Sequence, residues 1–165
     1  MKTAVRIALA CGVGLAFVVG ACKVVLSHCE IPCGIYGDTM RVELLYEDIT
    51  TVEKSMTEIE KLQKETPVNY NQLVRWIGNK EEHATKIQHT VTQYFMTQRV
   101  KPESKKYVDQ LTSLHGMMLH AMKAKQTTDV AHCAHLRENL DKFAAAYFGD
   151  DDLKHIREHH GTHSQ

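Results

Sequence analysis

The nine residues His28-Cys29-Glu30-Ile31-Pro32-Cys33-Gly34-Ile35-Tyr36 gather an imidazole, two thiols and a phenol into one short hook. If the chain is cut before His28, that residue offers a free α-amine beside its imidazole. Cys29 then adds its amide nitrogen and its thiolate. Pro32 and Gly34 favour a tight bend that returns the Cys33 thiolate to the same point. An amine, an ionised amide and two thiolates make four in-plane donors. Such a set suits square-planar Ni(II) or Cu(II) better than tetrahedral zinc, and the imidazole of His28 stays available above the plane. An α-amine and the next amide can chelate side by side only at a chain terminus, so the residues upstream of His28 would act as a latch on the site.

Residues 1–27 have the layout such a cut requires. Lys2 and Arg6 precede an uncharged, mostly apolar run at residues 7–22, and Val25 and Ser27 stand third and first before His28. That is the pattern of a cleavable export signal. The run is shorter than the about 20 residues of a membrane span. A retained anchor, and a lipoprotein cut that leaves Cys22 lipidated, are the other readings of the same residues. Cleavage before His28 removes three basic residues (Lys2, Arg6, Lys23) and no acidic one, leaving a net charge of −3. It also removes Cys11 and Cys22. Cys29, Cys33 and Cys133 remain, an odd number that argues against a simple paired disulfide framework.

The hook needs a frame, and the rest of the 165-residue chain reads as helices. Lys and Arg together equal Asp and Glu at 20 each, so no bulk charge points to nucleic acid or acidic lipid. Only 3 prolines and 9 glycines punctuate the sequence, which favours long helices over many short strands. Val42, Leu45, Ile49, Val52, Met56 and Ile59 recur in steps of three and four, an amphipathic stripe with Asp38 or Thr39 as its cap. A second stripe takes in Leu73, Ile77, Ala84, Ile87, Val91 and Tyr94 or Phe95, interrupted by Lys80 and weakened by Gly78. A third runs through Tyr107 or Val108, Leu111, Leu114, Met118 and Met122. The fourth holds Val130, Cys133, Leu136, Leu140, Phe143 and Tyr147. Four such helices on short connectors predict an all-α, antiparallel up-down four-helix bundle with an N-terminal metal-binding hook. The organisation is a leader at 1–27, the hook at 28–36, the bundle at 37–149 and an acidic, then His-rich tail at 150–165.

The hook closely resembles that of the nickel superoxide dismutases, matching His-Cys-x-x-Pro-Cys-Gly-x-Tyr at His28, Cys29, Pro32, Cys33, Gly34 and Tyr36. The helical plan agrees over residues 28–148. The resemblance implies disproportionation of superoxide to dioxygen and hydrogen peroxide by Ni(II)/Ni(III) cycling, with one nickel per subunit held by His28, Cys29 and Cys33. It implies that Tyr36 orders water or superoxide at the open face. It implies that Glu43, in Arg41-Val42-Glu43, orients the His28 imidazole; the other reading of Glu43 is a solvated helix carboxylate. It further implies a homohexamer and a maturation peptidase that cuts before His28. The leader points to export, and a dedicated peptidase would allow a cytoplasmic location instead. Glu30 and Gly37 stand where one branch of the family has Asp, and an Arg that some members donate from a neighbouring subunit has no clear counterpart.

Other residues have plainer readings. His155 and His159, one turn apart, could hold a metal on a helical tail, against a polar surface or flexible tail. Cys133 and Met117, Met118 and Met122 read as core, and Trp76 as core or interface. The rival function is an exported thiol-redox or metal-buffering helical protein using Cys29, Cys33 and the histidines. Thiol-redox pairs generally use a βαβ scaffold, which this chain does not show.

Overall fold

A computed structural model describes residues 37–161, all of whose regular elements are helical. These are α1 (Asp38–Leu62), α2 (Tyr70–His89), α3 (Tyr107–Gln126), α4 (Ala131–Tyr147) and α5 (Asp150–Gly161); α2 runs on as a π-helical stretch, Thr90–Arg99. Side-chain pairs between neighbouring helices fix their directions. Tyr46 meets Asp141, Glu53 meets Arg137 and Met56 meets Cys133, so α1 and α4 run in opposite senses. Asp38 with Tyr94 and Asp48 with His83 do the same for α1 and α2. Gln110 with the Ala146 carbonyl and His120 with His132 do so for α3 and α4. The bundle is therefore the expected antiparallel, up-down arrangement. None of the described helices is long and apolar enough to cross a membrane.

All six residues of the first stripe are buried, as are Cys133, Leu136, Leu140 and Phe143 of the fourth. The third stripe is rotated from its expected face. Gln110, Ser113, Leu114, Met117, Ala121 and Ala124 point inward, while Met122 is 41 % exposed and Met118 only partly covered. Small residues explain the shift. A β-carbon on Gly116 would collide with the Asn139 side chain, so α3 and α4 approach closely along their small residues rather than their large ones.

Lys80, the interruption in the second stripe, is almost fully buried, and its Nζ donates to the carbonyls of Ala124 and Lys125 at 2.8 and 2.6 Å and to Glu81 at 2.9 Å. The last carbonyls of a helix have no partner of their own, and an ammonium there also meets the negative end of the dipole. Lys80 thus closes the C-terminus of α3 from a different helix. Ile77, expected in the same stripe, is 40 % exposed.

Candidate metal centre

The hook enters the described structure at Gly37, which has φ +81°, a conformation open to glycine and strained for other residues. Gly37 is the N-cap of α1 but makes no side-chain capping bond. The expected cap, Asp38, is instead the first helical residue, and its carboxylate turns to other partners. Its Oδ1 accepts from the Tyr94 hydroxyl at 2.5 Å. Its Oδ2 accepts from Tyr147 at 2.6 Å and from Arg99 Nη2 and Nε at 2.6 and 3.0 Å. Three helices are joined at the residue that follows the hook's exit.

The π-helical stretch makes this convergence possible. Thr97 and Gln98 side chains bond carbonyls five residues back, and Val100 N–H bonds the Phe95 carbonyl. In an α-helix, residues five apart diverge by about 140°; with i→i+5 winding, Tyr94 and Arg99 both face Asp38. Beneath them Phe95 packs edge-on against Phe143 and Tyr147, with ring centroids 4.8 and 5.8 Å apart. Arg41 lies over the Tyr94 ring at 4.9 Å.

Burial pushes the Asp38 carboxyl up, but the bonds from Tyr147, Tyr94 and Arg99 outweigh it and hold its pKa below the usual value. Tyr94 and Tyr147 are each pushed up to about 12, by burial first, then by the hydrogen bond each donates to Asp38 and by the Asp38 charge. An unfolded tyrosine ionises near about 10. A group with a raised folded pKa stabilises below its unfolded value and loses that contribution as pH climbs to the folded one. Resistance to urea is expected to decline between about pH 10 and 12. In the double variant Y94F/Y147F this decline should be visibly shallower, read from urea midpoints across that range; an unchanged slope would dismiss the pair as its source.

Of the expected site residues, His28, Cys29, Cys33 and Tyr36 lie outside the described residues. Glu43 is described, one turn into α1 on the side covered by α5. Its Oε1 is fully buried, has no hydrogen bond among the described residues, and lies 3.8 Å from His155 Nε2. The tail segment Asp150–Gly161 is helical and inserts Ile156 into the core. Among the described residues no group of three or more His, Cys, Asp or Glu side chains converges as a metal cage. Asp38, Tyr94, Arg99 and Tyr147 were not singled out as a group by the sequence; the available signal was an acidic residue at the hook's exit and two tyrosines on otherwise apolar stripes.

The described residues form an all-α bundle, and comparison with known families gives the class. The chain belongs to the nickel-containing superoxide dismutases, whose family model matches residues 23–151, spanning the hook and all four bundle helices. It is an enzyme acting on superoxide, with nickel as its cofactor. No curated protein and no solved structure matched it.

Proposed function

We propose that the chain, cut before His28, dismutates superoxide with nickel, which the His28 amine and imidazole, the Cys29 amide and the thiolates of Cys29 and Cys33 would hold. The observation that carries this reading is the family match across residues 23–151, which includes every position of the hook. Bound there, nickel would supply Ni(II)/Ni(III) cycling, by which two superoxide ions and two protons become dioxygen and hydrogen peroxide.

The chain's own residues do the rest. Two thiolates and an ionised amide are strong anionic donors, and their electron density makes the higher metal oxidation state reachable. The Tyr36 hydroxyl orders water or superoxide and helps supply protons. Glu43 accepts a hydrogen bond from the imidazole of His28 and fixes its orientation, as outer carboxylates do for ligating histidines. The buried, unbonded Oε1 of Glu43 supports that role, because a carboxylate oxygen shut away from water requires an N–H or O–H partner. Asp38, clamped by three helices, gives the hook a rigid base. The same reading includes a homohexamer, a peptidase that exposes His28, and export by the leader.

The test is intact mass and N-terminal sequence of the natively produced protein, with metal content and superoxide turnover on the same sample. A chain starting at His28 with about one nickel per subunit and rapid turnover is expected. A chain that keeps Met1, or a lipidated Cys22, and lacks nickel would remove the amine ligand and turn the reading toward thiol redox or metal buffering.

A further inference from the structure

Far from the hook, a second set of metal-ligating side chains gathers where α3 meets α4. His120 Nδ1 and His132 Nδ1 are 3.3 Å apart. The His135 ring, one turn along α4, lies 4.6 Å from that of His120. In a tetrahedral site with metal–nitrogen bonds of about 2.0–2.1 Å, neighbouring ligand atoms stand about 3.3–3.4 Å apart. The two imidazoles already hold that spacing across two helices whose separation is set by the close Gly116–Asn139 contact.

We propose that His120 and His132 form an accessory site for a divalent transition ion that favours imidazole, such as zinc, completed by His135 when the ion binds. His135 does not yet converge with the pair, in keeping with the absence of a ready three-ligand cage among the described residues. Its Nδ1 faces Glu138 Oε2 at 3.5 Å, and a side-chain rotation frees it. His135 and Glu138 are exposed, so that rotation meets little packing resistance. The Nδ1–Nδ1 contact needs only one bridging proton. When an ion enters, that proton passes through water to the Nε2 of the same ring, which leaves both Nδ1 atoms open to the ion.

The experiment uses the nickel-loaded chain that begins at His28, with His155, His159, His160 and His163 changed to Gln, so that the C-terminal histidines cannot contribute. Zinc chloride is titrated against a chromophoric chelator. About one zinc per subunit beyond the nickel is expected, with H120A and H132A each weakening binding by about tenfold or more and H135A by less. H115A, on the same helix but outside the cluster, should bind as the parent does. Circular dichroism should be unchanged in every variant, which separates lost ligands from lost fold. Zinc uptake equal in H120A/H132A and the parent, or uptake that disappears with the C-terminal substitutions alone, would overturn the site and leave adventitious binding only.

Discussion

A chain with one extra alanine ahead of His28 is expected to fold normally, to fail to hold redox-active nickel, and to lose at least about a hundredfold in superoxide turnover. The added peptide bond converts the His28 amine into an amide. An amine binds through a lone pair it already presents. An amide nitrogen must first give up a proton and resonance, and it is a more crowded ligand. Nothing else in the donor set changes: both thiolates and the imidazole remain. The bundle should not register the addition, because its described packing begins at Gly37 and its stripes lie in α1 to α4. Thermal melting and helical content are therefore expected to match the parent, while nickel per subunit and stopped-flow turnover fall together. Full nickel and full turnover in the extended chain would show that the amine is not a ligand.

Asp38→Ala is expected to cause the largest loss of stability from a single polar side chain, about 2–4 kcal/mol. Four donor atoms on Arg99, Tyr94 and Tyr147 lose their acceptor at once. The Asp38 side chain is only 11 % exposed, so water does not readily replace it. Arg99 is about a third exposed and regains some hydration, which keeps the figure below that for a fully buried pair. For a domain of this size the melting temperature should drop by about 6–12 °C. Asp38→Asn, which keeps one acceptor oxygen but no charge, should fall between. Because Asp38 has a lowered folded pKa, the parent's advantage is present at neutral pH and fades as pH drops through the carboxylate range. A melting point within about 1 °C of the parent at pH 7 would mean that the junction does not lock the helix ends together.

The hook's donors are neighbours in the chain, so its metal chemistry could be proposed from the sequence, and those residues lie outside the described structure. The first and fourth helices are readable because large apolar residues at steps of three and four have one way to face a core. Reading by large residues alone misplaced the third helix, where glycine, alanine and serine define the buried face and Met122 is left outside. Lys80 looked like an error in a stripe because its partners, the carbonyls of Ala124 and Lys125, come from another helix. Asp38 looked like a local cap for the same reason: Tyr94, Arg99 and Tyr147 lie 56 to 109 positions away and meet it only through the fold. Glu43 was found by resemblance to a family segment. Its Oε1 lies 3.8 Å from His155 of α5, a helix that lies mostly beyond the matched residues.

The π-helical stretch also makes the length of this part of the chain a structural quantity. In a loop, one residue more or fewer is absorbed by slack. Within Thr90–Arg99 there is no slack, because the bonding pattern itself counts residues. Removing one would return the stretch toward α-helical winding and swing everything after it by about 100° relative to everything before it. Tyr94 and Arg99 could not then both face Asp38. The base on which the hook stands thus depends on the number of residues between two helix ends as much as on their identity.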